Sequence, residues 1–196
     1  MFYKTLRGLA RIFFMLLGLK SSGLHNLPMK GPVIIAANHV SMWDPFVVAV
    51  VIPRTINFMA KAEFFEWTLL AWLLGKVNAF PVHRKAGDRT ALRHSVAILE
   101  KQEVLGIFPE GLRNRSAELK AQAGTAMIAV KTGAPIVPVA CVGTDRFFPL
   151  GWLHPFEVRV GEPIPMAEYS GQKVNSAVLD SISEQVMTEI ETLLLK

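Results

Sequence analysis

The chain has 196 residues, of which 51% are apolar and 19% charged, with a net charge of +5 and a mean hydropathy of +0.33. That length suits one domain with its own core, and the apolar surplus predicts hydrophobic surface left outside, although no window reaches the roughly 20 consecutive apolar residues of a spanning helix. The single cysteine, Cys141 in the apolar run PIVPVACVG, excludes an intrachain disulfide, reads as a core filler and predicts a reducing compartment.

The positive charge is concentrated at the start. Residues 1–43 contain Lys4, Arg7, Arg11, Lys20 and Lys30 and no acid, whereas the rest of the chain is balanced. A nucleic-acid role is therefore disfavoured, because no basic surplus remains beyond this segment. At about 100° per residue, Lys4, Arg7 and Arg11 share one helical stripe and Phe2, Leu6, Leu9, Phe13 and Leu16 the opposite one. Such a helix either lies in a membrane interface or packs on the domain with a solvated basic face. The apolar run IFFMLLGL is short and basic residues interrupt the approach to it, which argues against a cleaved secretory signal. The predicted organisation is an amphipathic segment over residues 1–24, able to associate with a membrane, and a folded domain over 25–196.

Beyond it, β-rich runs alternate with helical patterns. PVIIAAN, INFMAK, NAFPVHR, VLGIFPEG, APIVPVACVG and FEVRVGEPI read as strands, several of them continuously apolar and so covered on both faces. Helices are predicted over Phe46–Val51, Thr90–Gln102 and Gly124–Thr132, and over the terminal stripe Val174, Val178, Ile182, Val186, Ile190. The Trp-rich stretch EFFEWTLLAWLLGKVNAF reads as a buried helix, or as one whose tryptophans sit at headgroup depth. This alternation predicts a single α/β domain with a mixed, mostly parallel sheet flanked by helices, preceded by the short N-terminal amphipathic helix. In such folds ligands gather where strands end and helices begin, which is where NHVSMWD and FPEGLR both fall.

The stretch NHVSMWDPF, Asn38–Phe46, holds a histidine, a serine and an aspartate within six residues. Ser41 and Asp44 form a capping-box pattern and need do no more than start a helix. If His39 instead ends a strand and Ser41 caps the helix, the turn brings the Asp44 carboxylate back to the imidazole. The carboxylate then fixes the tautomer and leaves the other ring nitrogen free to accept a proton. A serine-hydrolase reading with Ser41 as nucleophile lacks the G-x-S-x-G elbow. In IFPEGLRNRS, Gly111 lets the backbone turn and Arg113 and Arg115 offer planar grips for phosphate, while Arg84 closes another strand at the same sheet edge. Two strand ends offering arginines beside a histidine imply an anionic substrate.

These blocks resemble the 1-acylglycerol-3-phosphate (lysophosphatidic acid) acyltransferase family. Asn38, His39, Ser41 and Asp44 meet its Asn-His-x-Ser-x-x-Asp block, and Phe80–Arg84 its apolar strand ending in arginine. Phe108, Pro109, Glu110, Gly111 and Arg113 meet its Phe-Pro-Glu-Gly-Thr-Arg-Ser block, with Leu112 and Asn114 in place of the two hydroxyl residues, and Pro135–Val139 meets its proline-containing strand. The resemblance implies the glycerolipid acyltransferase fold, with His39 as general base oriented by Asp44. Arg84, Glu110, Gly111 and Arg113 would position the acceptor's phosphate, and Asn38 and Ser41 would support the site. It implies lysophosphatidic acid as acceptor, acyl-CoA or acyl carrier protein as donor, no cofactor and no metal. It further implies work at a membrane surface, as a monotopic or peripheral protein on the cytoplasmic face. Oxyanion donors are expected among the backbone N–H groups of the helix start near Ser41.

Overall fold

The computed structural model describes residues 2–83 (backbone alone for 2–6), 88–111, 123–146, 156–169 and 175–196. Helix α1 (Phe2–Leu16) leads into strand β1 (Leu19–Ser22), then β2 (Val33–Ala37), α2 (Asp44–Val51), β3 (Ile56–Lys61), α3 (Thr68–Lys76), β4 (Ala79–Val82) and α4 (Arg89–Glu100). There follow β5 (Val104–Ile107), α5 (Gly124–Thr132), β6 (Ile136–Val142), β7 (Phe156–Val160) and α6 (Ser176–Leu195). The strands form one seven-stranded sheet in the order β1-β7-β6-β2-β5-β3-β4. Strands β2, β3, β4, β5 and β6 are mutually parallel, so their C-terminal ends share one edge. Among the described strands only β6 and β7 pair antiparallel.

The sequence of β2 explains its central place. All five residues of VIIAA are apolar and buried, and the period of two divides them between both faces. Val33, Ile35 and Ala37 pack with Val47, Val48 and Val51 of α2 and with Val137 and Val139 of β6. Ile34 and Ala36 pack in the opposite cluster with residues of α4, α5 and α6. The predicted stripe on α6 is realised by Ile182, Val186 and Ile190, each at most 1% exposed; Val174 lies outside the described residues. Burying side chains of this size stabilises by about 1.5–3 kcal/mol apiece.

Two features differ from the sequence expectation. Leu19–Ser22, within the stretch expected to stand apart from the catalytic domain, is an edge strand paired with β7. Its sequence, LKSS, has one buried residue and three exposed ones, so hydrophobic periodicity carries no strand signal there. Second, α3 is not a buried helix: none of its residues is buried, and Trp67, Leu69 and Trp72 are 75, 79 and 56% exposed. It serves as the crossover from β3 to the edge strand β4.

Helix α1 docks on α2 through Ala10, Phe14 and Leu17, with Phe14 edge-on to Trp43 and Phe156. Arg7, expected on the basic stripe opposite the apolar face, donates to the Ile52 carbonyl at 3.1 Å and so binds the C-terminal end of α2. The opposite face of α1 leaves Leu9, Phe13 and Leu16 exposed. Among the described residues no helix is long and apolar enough to cross a membrane.

Candidate active site

The site forms where β2 ends. Past Ala37 the strands β2 and β6 part, and Asn38 bridges them: its Nδ2 donates to the Cys141 carbonyl at 3.1 Å and its Oδ1 accepts from the Cys141 N–H at 2.7 Å. This buried pair holds the backbone that leads into His39. Burial pushes the Cys141 thiol well above its ordinary range, so it stays protonated and inert.

Asp44, fully buried, organises the turn that runs from His39 to itself. Its Oδ2 lies 3.0 Å from His39 Nδ1 and also accepts from the N–H groups of Val40 at 2.8 Å and Ser41 at 2.7 Å. Its Oδ1 accepts from the Thr144 hydroxyl at 2.5 Å. An acceptor at Nδ1 fixes the tautomer with the proton on that nitrogen and leaves Nε2 as the unprotonated one. The expected cap is not formed: α2 has Trp43 as its N-cap with no side-chain cap bond, and instead Asp44 reaches back to the Ser41 N–H while Ser41 Oγ accepts from the Trp43 N–H at 3.3 Å. That engagement turns the buried Ser41 hydroxyl to the backbone, and it makes no contact with the His39 ring, so the serine-nucleophile reading has no geometry behind it. Of the backbone N–H groups near Ser41 expected as oxyanion donors, those of Val40 and Ser41 are taken by Asp44 and that of Trp43 by Ser41 Oγ.

The imidazole rests on a stack of rings. Its centroid lies 4.2 Å from that of Phe108 at 25°, and Phe108 in turn stacks on Phe58 at 5.9 Å and 13°. Gly106 pairs with Phe58 across β5 and β3, and a Cβ there would meet the Phe58 ring at 2.5 Å, so the missing side chain makes room for the stack. Phe108 also opens a tight turn that Gly111 closes, its N–H donating to the Phe108 carbonyl at 3.0 Å with φ +69°.

Glu110 sits within that turn, buried, with Oε1 accepting from the His39 N–H at 3.1 Å. Its Oε2 is buried and has no hydrogen-bond partner among the described residues. Burial, offset in part by the His39 N–H and reinforced by the Asp44 charge, raises its carboxyl from 4.5 to about 7. The folded chain thus holds this proton longer than the unfolded chain does. Stability falls as pH rises from 4.5 to about 7, and the loss is complete above that window. Glu110→Gln is expected to flatten the dependence and to gain most at pH 8; denaturant midpoints of both proteins at pH 5 and pH 8 check this, and parallel pH dependences would refute it.

Arg84 and Arg113, the expected phosphate grips, lie outside the described residues, as do Leu112, Asn114 and Arg115. Asp88, next to the Arg84 segment, accepts from the N–H groups of His83 at 2.7 Å and of Thr90 and Ala91 at 3.0 Å, tying the end of β4 to the start of α4. Those backbone donors, Ala91 first, hold its carboxyl below the usual range. Lys61 ends β3 at the same sheet edge, paired with exposed Glu63 at 3.1 Å. Sequence reasoning missed Thr144, the Phe58–Phe108 stack and Lys61. The Gly-Thr pair that follows the run PIVPVACV carries no local sign of a partner in the His39 turn.

Similarity to known proteins agrees with this arrangement. The chain matches the model of a family described as Acyltransferase over residues 18–142. It is 29% identical over 177 residues to the 1-acyl-sn-glycerol-3-phosphate acyltransferase of Bacillus subtilis, covering 89% of this chain and 88% of that one. It is 28% identical over 200 residues to the enzyme of the same name from Streptococcus pneumoniae, covering 98% and 73%. Among solved structures it superposes on the 1-acyl-sn-glycerophosphate (LPA) acyltransferase PlsC of Thermotoga maritima with a TM-score of 0.72, at 25% identity, over 99% of this chain and 80% of that chain. The match to the family model runs from just before β1 to the last residue of β6 and takes in His39, Asp44 and Glu110, and the chain belongs to the acyltransferase family.

Proposed function

We propose that this acyltransferase moves a fatty acyl group from an acyl thioester, on coenzyme A or acyl carrier protein, to the free hydroxyl of 1-acylglycerol-3-phosphate, giving phosphatidate. The observation that carries the reading is the His39–Asp44 pair at the C-terminal edge of the sheet, with Nδ1 held at 3.0 Å and Nε2 left to accept a proton. His39 Nε2 takes the hydroxyl proton as that oxygen bonds to the thioester carbon. Asp44 stabilises the imidazolium that forms, and collapse of the tetrahedral intermediate breaks the carbon–sulfur bond, the proton passing to the departing thiolate. Arg84 and Arg113 orient the acceptor's phosphate. Glu110, with its raised carboxyl and its bond to the His39 N–H, supports the base, since an ionised carboxylate would repel a phosphate.

Product analysis tests the reading. The purified protein in mixed micelles, given labelled acyl-CoA or acyl carrier protein and 1-acylglycerol-3-phosphate, is expected to form phosphatidate that is absent with His39→Ala. Free fatty acid formed equally without acceptor would overturn it in favour of hydrolysis.

The reading also places the protein at the cytoplasmic face of a membrane, where its lipid acceptor resides, with α1 as the contacting segment and the catalytic domain running from β1 onward. Leu9, Phe13 and Leu16 on α1, beside exposed Arg11, support this, as do Trp67, Leu69 and Trp72 at α3, where the Lys76 ammonium lies 5.6 Å from the Trp72 ring. Replacing Phe13 and Leu16 together by Glu is expected to weaken sedimentation with phosphatidylglycerol vesicles by at least about tenfold, given about 1.5–3 kcal/mol per apolar side chain withdrawn. Unchanged co-sedimentation would sink the attachment through α1, and Trp72→Glu asks the same of α3.

A further inference from the structure

Thr144 lies outside every block that carries the family resemblance and beyond the end of the family match at residue 142. It is nonetheless 1% exposed and directs its hydroxyl at the fully buried Asp44 carboxylate. The local sequence explains how it gets there. Strand β6 ends at Val142, and Gly143, at φ +71°, turns the chain back over the strand end in a bend closed by the Arg146 N–H on the Gly143 carbonyl at 3.2 Å. Asp145 and Arg146 pair at 3.5 Å on the outside of this bend while Thr144 points inward. Three residues earlier, Asn38 clamps Cys141 of the same strand to the backbone beside His39.

We propose that Thr144 is a positioning residue for the acyl transfer: its hydroxyl fixes the plane of the Asp44 carboxylate, and through it the orientation of the His39 imidazole. Oδ2 of Asp44 already serves three donors, His39 Nδ1 and the Val40 and Ser41 N–H groups, all from one turn of chain. The terminal torsion of an aspartate is soft and nearly two-fold, so contacts at a single oxygen leave the group free to rock about that oxygen. Thr144 holds the other oxygen, at 2.5 Å, and comes from a different strand. It is the one hydrogen bond recorded for Oδ1 among the described residues, and it ties the catalytic turn to β6. Its burial keeps it from substrate, so Thr144 acts through Asp44 alone.

The inference rests on His39 being the base, and the test separates the two. Thr144→Val exchanges the hydroxyl for a methyl of similar size. It is expected to lower kcat about 10- to 100-fold, as loss of a hydrogen bond to a charged group warrants, with KM for donor and acceptor nearly unchanged. Thr144→Ser, which keeps the hydroxyl, is expected to restore kcat to within about threefold of the parent, and Thr144→Ala carries the expectation of the valine variant should that one not fold. The low-field proton resonance of the His39 Nδ1–H is expected to persist in the serine variant and to broaden or vanish when the hydroxyl is removed. Added to His39→Ala, Thr144→Val is expected to cost nothing further. An undiminished kcat with the resonance intact, or an equal further loss in the His39→Ala background, would overturn the proposal. Full activity of His39→Ala itself would instead overturn the base assignment, while the resonance would still report whether Thr144 holds the pair.

Discussion

His39→Ala is expected to lower kcat by about 10² to 10⁴, the range that a well-placed general base contributes, while the protein stays folded. The fold survives because Asp44 keeps three of its four donors without the imidazole: the N–H groups of Val40 and Ser41 and the hydroxyl of Thr144. The ring itself is only partly enclosed, its side chain 13% exposed and lying on the face of Phe108, so truncation opens the site and leaves the sheet beneath it intact. Removing the base takes away an interaction made as the hydroxyl oxygen gains charge, so kcat and kcat/KM are expected to fall together, with KM for the acceptor little changed. Initial rates in mixed micelles over a range of both substrates decide it. Retention of more than a tenth of the parent kcat would mean that the proton leaves by another route and that the His39–Asp44 pair is structural.

Much of this site is readable in the sequence because its parts are local. Asn38, His39, Ser41 and Asp44 lie within seven residues, and a turn between the end of β2 and the start of α2 is enough to bring ring and carboxylate together. Strand β2 ends at Ala37 and α2 starts at Asp44, not at the His39 and Ser41 boundaries expected. The strands were legible for a related reason. Runs such as VIIAA and IVPVACV are buried on both faces and so are apolar without interruption, whereas LKSS at the sheet edge buries only Leu19 and carries no such mark. Thr144 was illegible because its partner is 100 residues away and only the pairing of β2 with β6 brings the two ends together. The apolar surface of α3 misled in the opposite direction. An apolar helix predicts burial by the protein, yet this one, crossing to an edge strand, has no buried residue, and hydrophobicity alone does not say which apolar medium covers a side chain. The resemblance assigned Glu110 to the acceptor; the structure adds a bond from the His39 N–H to its Oε1, a contact invisible from the Pro-Glu-Gly turn alone.

Two substitutions of Asp44 are expected to separate its structural work from its chemical work. Asp44→Ala strips the acceptor from two buried backbone N–H groups, the Thr144 hydroxyl and the imidazole at once. Each buried donor left unmatched costs about 1–3 kcal/mol, so a loss of about 3–5 kcal/mol of stability is expected even after water enters the space, a large part of what a domain of this size has. Its inactivity would therefore report on folding as much as on catalysis. Asp44→Asn is the sharper instrument. An amide can present its oxygen where Oδ2 stands, accepting from His39 Nδ1, Val40 and Ser41, and its NH₂ where Oδ1 stands, donating to Thr144 Oγ. The reverse orientation would face an NH₂ toward three donors, so the two backbone N–H groups select the first. Where an asparagine flips an imidazole to the wrong tautomer, activity falls by about 10⁴. Here the tautomer is retained, and what disappears is the negative charge that stabilises the imidazolium. Asp44→Asn is thus expected to keep a melting temperature close to the parent and the Nδ1–H resonance of His39, yet to lose about 10² or more in kcat. Near-parental kcat in that variant would show that the carboxylate's geometry matters and its charge does not. A collapse in melting temperature matching that of Asp44→Ala would show that the four donors tolerate no amide, and the orientation argued for it would be wrong.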